Sequence, residues 1–262
     1  MTLPDFPRVR FRKSPLGLVV GQIRFPILTR FSDGNFIAPF YEAIKQEYPR
    51  PRRVKQMGLQ ITQQGVQSVA AETLWRYAAR DDETAVVLGE GAVTLEAKRY
   101  QSIEDFLDRF GRVLKAAQET LEVVDRVRLG LRYVNEIRHP EASTLTDWAR
   151  LLRPELVGFA ATGILGEDVA HSFHELRVKR ADGVLAVRHG LLAGAVLEGS
   201  PRSAQTDERF YLLDMDYYDE EESSLDVRTT LDQLRAYNEV LRRFFCWALG
   251  DKMYEYLEPE PC

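Results

Sequence analysis

Short segments in which every second residue is apolar constrain the fold of this chain more than any other feature. The clearest is VRLGLRYVNEI, where the apolar positions are Val127, Leu129, Leu131 and Tyr133. Successive side chains of a β-strand point to opposite faces, so this spacing predicts a strand with one buried face. Similar segments recur along the chain between turn-forming residues, which predicts antiparallel sheets with one packed face and one polar face.

Amphipathic segments follow these strands at regular places. The segment 36–49 predicts a helix that begins after Asn35, and SIED predicts a second helix with Ser102 as its N-cap. In the second half, 144–156 predicts one helix and a long terminal helix begins near Thr230. Each half of the chain therefore has the predicted order strand, helix, three strands, helix.

An internal duplication is the simplest explanation of this order. A gapless shift of 108 residues aligns Arg24 with Arg132 and, further on, Phe40 with Trp148, and a shift of 117 aligns VTLEAKRY with FYLLDMDY. The sequence thus predicts an α+β protein of two tandem β-α-β-β-β-α pseudo-repeats, each an antiparallel sheet covered by helices on one face. The predicted boundaries are 1–120 and 121–262, with one continuous domain as the alternative.

Cysteine content and hydropathy narrow the cellular setting. The cysteines are Cys246, in a helical segment, and Cys262, so a disulfide framework and a cysteine-rich zinc site are both excluded, and Cys246 is expected to pack in the core. Apolar runs stay well below the roughly 18 residues that a membrane span needs. We therefore expect a cytoplasmic protein without a membrane partner; the oligomeric state stays open.

The net charge of −5 hides an asymmetry between the two halves. Residues 1–120 hold 18 Lys/Arg against 14 Asp/Glu, whereas the remainder holds 17 against 26. The positive charge concentrates in RVRFRK and YPRPRRVK, and the negative charge in DMDYYDEEESSLD. Such patches indicate solvated surface or a surface that meets a charged partner.

Several separate motifs resemble one protein family. KSPLGLVVGQIRFP near the start, FYEAIKQEYP, and RLGLRYVNEI at mid-chain occur in the same order as in a sporadically distributed family of uncharacterised bacterial and archaeal proteins. The resemblance covers most of the chain, but it implies no reaction, cofactor or catalytic residue. A patchy distribution is common among toxin–antitoxin and phage-defence genes, so the resemblance implies a role of that kind by association.

The usual catalytic and nucleotide-binding motifs are absent. The chain contains neither GxGxxG nor GxxxxGK[ST], and GEG and ATGILGED lack the lysine or the following helix of a phosphate loop. A GxSxG nucleophile motif is also missing. The sequence therefore predicts no cofactor.

Polar residues on and after the mid-chain strand form the candidate binding groove. Arg24, Arg132, Asn135 and Glu136 would line it, with the two arginines converging from equivalent repeats on a carboxylate or phosphate. The alternative is architectural: each arginine lies on an outward face, or one arginine per repeat pairs with a carboxylate.

Metal binding is the weaker hypothesis. Asp214 and Asp216 would share one strand face, with Glu136 as a third carboxylate, but a solvated acidic segment explains the pattern as well. His171 and His174 would point to opposite faces of a strand, which disfavours a shared metal. The sequence therefore predicts no metal site.

These observations favour a non-enzymatic binding or accessory protein that acts through protein–protein contact, as partner or regulator of a toxin or phage-defence effector. One alternative is an enzyme that acts on a phosphorylated or nucleotide substrate in an arginine-lined groove between the repeats. A second alternative is a nucleic-acid-binding protein that uses the basic N-terminal half, where LWRYAAR and RPRRVK combine aromatic and basic residues.

Overall fold

The computed structural model describes residues 3–62, 65–142, 144–158, 162–164, 169, 172–193 and 209–261. Helices and a large antiparallel sheet make up the fold, which confirms the predicted α+β class. No helix in these ranges is long and apolar enough to span a membrane.

In the first half of the chain, the described residues form two helices and six strands. In chain order they are β1 (Val9–Phe11), β2 (Leu16–Arg24), α1 (Gly34–Ile44), β3 (Arg50–Thr62), β4 (Gly65–Ala78), β5 (Thr84–Gly89), β6 (Ala92–Ala97) and α2 (Ile103–Leu121). Four strands follow α1, whereas the predicted order had three. The difference arises because the turn at Glu90 and Gly91 divides one predicted segment into the hairpin β5–β6.

The second half contains the remaining elements. They are β7 (Asp125–Arg126), β8 (Arg128–Ile137), α3 (Leu145–Leu151), α4 (Pro154–Val157), β9 (His174–Arg180), β10 (Gly183–Ala193), β11 (Arg209–Asp219), β12 (Ser223–Ser224), α5 (Val227–Ala248), α6 (Asp251–Tyr256) and β13 (Pro259–Pro261). The predicted strands at β8, β9, β10 and β11 are confirmed. The predicted helix over 144–156 is two helices, because Pro154 has no N–H to continue α3.

Each compact unit draws on separate parts of the chain. The first unit comprises Met1–Val19, Leu131–Asp219 and Leu234–Cys262, and the second comprises Val20–Gly130 and Glu220–Gln233. In the first unit the strand order is β8-β11-β10-β9, and in the second it is β3-β4-β5-β6-β2. In both units the strand that precedes the first helix therefore lies beside the last strand of the following meander.

Helix ends follow capping rules. Ser102 accepts a hydrogen bond from the backbone N–H of Asp105, which confirms it as the N-cap of α2. The N-cap of α1 is Asp33, which accepts from the N–H of Asn35, so the assignment of Asn35 as N-cap was wrong. Asp and Asn side chains both cap helices, and Asp33 lies only two residues before Asn35, so the helix begins two residues earlier than the sequence predicts.

Helices cover one face of the β8-β11-β10 strands in the first unit. The Tyr211 ring lies against Trp148 of α3, with centroids 5.7 Å apart, and Tyr217 lies 4.6 Å from Tyr237 of α5. The Tyr133 hydroxyl donates to Asn238 of α5 at 2.7 Å. Odd-numbered residues of β8 and β11 thus face the helices, and their even-numbered residues face the other way.

Candidate functional site

Four side chains of alternating charge form a row across the sheet face of the first unit that lies opposite the helices described above. In the sheet register Arg188 of β10 lies opposite Asp214 of β11 on one side and Glu175 of β9 on the other. Arg132 of β8 binds the same Asp214. We call Arg132, Asp214, Arg188 and Glu175 the charged row.

Asp214 is the centre of the row. Arg132 donates two parallel hydrogen bonds to it, from Nε to Oδ1 and from Nη2 to Oδ2, each 2.7 Å long. Nη1 of Arg188 approaches Oδ2 from the other side at 3.4 Å. A bidentate guanidinium–carboxylate pair is among the strongest side-chain interactions in proteins, so it fixes both partners in one geometry.

Glu175 completes the row at strand β9. Its Oε2 lies 3.8 Å from Nε of Arg188, and its Oε1 accepts from Nε of Arg177 at 2.9 Å. The side chains of Glu175 and Arg188 are 38% and 32% exposed. The row is therefore accessible from outside along most of its length.

Burial at the row differs strongly between the two members of its central pair. The Asp214 side chain is only 4% exposed, whereas that of Arg132 is 41% exposed. Burial alone would lower the pKa of Arg132, but the hydrogen bonds to Asp214 and the negative charges of Asp214 and Asp216 raise it. Arg132 is thus a permanently charged partner of a carboxylate that it shields from water.

The two arginines of the candidate groove lie in different surroundings. Arg24 ends β2 in the second unit, is exposed, and makes no ion pair within the described residues. Arg132 belongs to the first unit and is held by Asp214. This agrees with the architectural alternative for Arg132, one arginine paired with a carboxylate.

The side chains of Asn135 and Glu136 point to opposite faces of β8 and bind different partners. Asn135 is buried, donates from Nδ2 to the carbonyl of Leu213 at 3.0 Å, and by strand alternation lies on the helix-covered face. Glu136 shares the face of Arg132, but its Oε2 lies 3.4 Å from Nη2 of Arg138 instead. Its other oxygen, Oε1, is buried without a hydrogen-bond donor among the described residues.

An apolar cluster lies on the same face as the row. Val134, Phe210 and Leu212 are buried together, and Leu18 and Leu192 pack against them. The guanidinium of Arg138 lies over the Phe210 ring, 4.7 Å from its centroid. One end of this face is thus apolar and the other end carries the charged row.

The residues suggested for metal binding do not assemble a site. Within the ranges that the structure describes, no three His, Cys, Asp or Glu side chains are grouped closely enough to hold a metal ion, so Glu136 does not join Asp214 and Asp216. Asp214 is instead neutralised by two guanidinium groups. His171 lies outside the described residues, and the ring of His174 stacks on His189 at a centroid distance of 5.2 Å.

Sequence patterns gave no sign of a buried hydrogen-bond chain on the helix-covered face. The Tyr211 hydroxyl donates to the carbonyl of Leu156 at 3.0 Å and lies 2.8 Å from Nδ1 of His189. Because that hydroxyl has a single proton, Nδ1 must donate to its oxygen, which fixes the tautomer of His189. Burial, with a smaller effect of His174, lowers the pKa of His189 to about 4, so the ring is neutral at pH 7.

Arg188 and Glu175 were also missed as members of the site. Each looks like an ordinary polar residue in an alternating strand, and their importance depends on cross-strand register.

No family model and no curated protein matches this chain.

Proposed function

We propose that the chain is a non-enzymatic binding protein that contacts another protein through the charged row. The observation that carries this proposal is the bidentate pairing of Arg132 with Asp214. The Nε–Nη2 edge of this guanidinium already binds a carboxylate of its own chain, so that edge cannot bind a substrate anion and its charge is already balanced.

The exposure of the row supports protein contact. Its alternating charges sit on a rigid sheet beside an apolar cluster, and both charged arginines remain partly accessible. A fixed pattern of opposite charges selects a partner with the complementary pattern and fixes the orientation in which it binds. The resemblance described above adds the expectation that this partner is a toxin or a phage-defence effector.

We also infer that the chain arose by duplication of one β-α-β-meander-α unit. The shared strand order of the two units supports this, and so do the buried pairs aligned by the 108-residue shift. Phe40 and Trp148 are both 0% exposed, and Ile44 and Leu152 are both buried. The same shift aligns Ile23 with Leu131, which are also both 0% exposed.

Co-expression with the product of a neighbouring gene tests the proposed contact. We expect the wild-type chain to capture that product and the Arg132→Ala variant to capture it at least tenfold less. The variant should remain folded and lose about 1–2 kcal/mol of unfolding free energy, because Arg132 is partly exposed and Arg188 still neutralises Asp214.

Arg24→Ala is the matched control, since it removes the same charge from an exposed position. Its unfolding free energy should stay within roughly 0.5 kcal/mol of wild type, and its capture should be unchanged. Equal capture by both variants would contradict a role of the row. A rise in melting temperature with inorganic phosphate, a nucleotide or a single-stranded oligonucleotide would instead favour one of the two alternative functions.

A further inference from the structure

Among the residues that the structure describes, strand β9 lies at the edge of its sheet. It pairs with β10 on one side, and no described strand pairs with its other side. Two large apolar side chains are exposed there, Phe173 at 51% and Leu176 at 52%. An exposed edge with apolar side chains is a template for pairing with another strand.

The backbone groups that face outward can be identified from the pairing with β10. The N–H of Ser172 donates to the carbonyl of Leu191, and a two-residue turn joins Arg180 to its partner Gly183. Backbone groups of an antiparallel strand alternate between its two neighbours, so even-numbered residues of β9 bond to β10. The odd-numbered residues, including Glu175 and Arg177, therefore direct their N–H and C=O groups to the open side.

The sequence of this edge is complementary to itself. If a second β9 runs antiparallel with Leu176 opposite Leu176, then Glu175 of each copy lies opposite Arg177 of the other. The same register places Phe173 opposite Lys179 and His174 opposite Val178. Opposite charges, a cation beside an aromatic ring, and apolar contacts thus coincide in one arrangement.

The neighbouring symmetric registers lack this complementarity. Centring the pair on Glu175 or on Arg177 places like charges directly opposite each other, and centring it on Val178 places Arg177 opposite Lys179. Like charges opposite each other destabilise a strand pair. A register centred between two residues would oppose outward-facing and inward-facing backbone groups, so it cannot form the ladder.

The preferred register also extends the charged row. Glu175 already lies between Arg188 of its own sheet and the open side. Arg177 of a second copy would continue the alternation of positive and negative charge without a break. Arg177 is 61% exposed, so its guanidinium can reach across the seam.

We infer that two copies of this chain form a symmetric dimer by antiparallel pairing of β9 about Leu176. A two-fold axis at this residue makes the contact isologous, with the same strand contributed by both copies. Leu176 would form a non-hydrogen-bonded pair, in which the two Cβ atoms lie roughly 4.5–5.5 Å apart. This inference concerns the edge strand and does not depend on the function proposed for the row.

Sedimentation equilibrium tests the dimer. The wild-type chain should sediment at twice its mass of 30.1 kDa, and Leu176→Lys, which opposes two lysines at the axis, should sediment as a monomer. The matched control is Ile164→Lys, which replaces another exposed apolar residue of the first unit and should stay dimeric. A monomeric wild type at about 100 µM, or a Leu176→Lys variant that remains dimeric, would overturn the inference.

Disulfide crosslinking tests the register. In a Cys262→Ser background, Leu176→Cys should form a covalent dimer on mild oxidation, because the two Cα atoms of a non-hydrogen-bonded pair lie roughly 4.5 Å apart, within the range that a disulfide spans. His174→Cys should not, since in this register it lies opposite Val178. Equal crosslinking at both positions would rule out pairing about Leu176. Capture of the neighbouring gene product is measured separately, so a monomeric result leaves the proposed function standing.

Discussion

His189 is a buried histidine whose Nδ1 donates a hydrogen bond to the Tyr211 hydroxyl. Its pKa is lowered from 6.5 to about 4, first by burial and then by His174. In the unfolded chain the His189 ring is therefore protonated below pH 6.5, whereas in the folded chain it stays neutral down to about pH 4. Stability from this residue is complete above pH 6.5 and falls progressively toward pH 4.

We expect the titration of His189 to lower the unfolding free energy by at most about 3 kcal/mol when the pH falls from 6.5 to 4. Urea unfolding at several pH values measures it. His189→Gln keeps a donor for Tyr211 without titrating, so its unfolding free energy should depend less on pH. Identical pH profiles for the two proteins would show that another group controls acid unfolding.

Single residues were predictable from sequence only where their partners are close in the chain. Ser102 could be identified because the group that it caps is three residues away. Arg132 was recognised as notable, yet its partner lies 82 positions further along and depends on how β8 and β11 pair. Asp214 was considered as a metal ligand for the same reason, because nothing near it in sequence shows the two arginines.

Gly21 determines how closely β2 and α2 approach each other in the second unit. A Cβ atom at this position would lie 2.8 Å from Cε1 and 3.0 Å from Cζ of Phe106. Phe106 is buried, so its ring cannot move away without disturbing the core. Gly21→Ala is therefore expected to lower the unfolding free energy by about 1–3 kcal/mol, as measured by urea denaturation.

Gly34→Ala is the control for this element. Gly34 begins α1, and a Cβ atom there would meet nothing within 4 Å. Alanine loses less backbone entropy on folding, so this variant should match or slightly exceed wild-type stability. If both variants gave the same stability, the close approach of β2 to α2 would not limit the packing.

Alternation and helical periodicity predicted most of the strands and helices, but they did not predict which residues of the two halves occupy equivalent positions. The 117-residue shift aligns Leu95 with Leu212. The side chain of Leu95 lies on the helix-facing side of its sheet, whereas that of Leu212 lies on the side opposite the helices. Leu95 is joined through Val86 to Tyr77, whose ring contacts Phe40 of α1, whereas Leu212 clusters with Val134 on the face opposite the helices of its unit. An odd shift exchanges the two faces, and similar residue types in buried strands conceal this error.

The whole molecule is built from interleaved segments. In the second unit, Gln118 donates to the carbonyl of Leu225, and Arg126 donates to Gln233. In the first unit, the N–H of Glu136 donates to the carbonyl of Pro15. Each unit therefore needs residues from both sides of the boundary expected from sequence.

Fragments 1–120 and 121–262 test that boundary. We expect neither fragment to unfold cooperatively alone, because each lacks segments that complete a unit. Thermal melts followed by circular dichroism measure this, with the intact chain as reference. A sharp transition in either isolated fragment would support the two predicted pseudo-repeats as independent domains.

The charged row has a further consequence for encounters in solution. Its two arginines and two carboxylates sum to zero charge, so its field cancels within a few ångströms. At physiological ionic strength the Debye length is about 8 Å, and beyond it the row exerts almost no pull on an approaching molecule. The row would therefore influence the orientation in which a binding partner is held, whereas the association rate would depend on charges elsewhere on the surface.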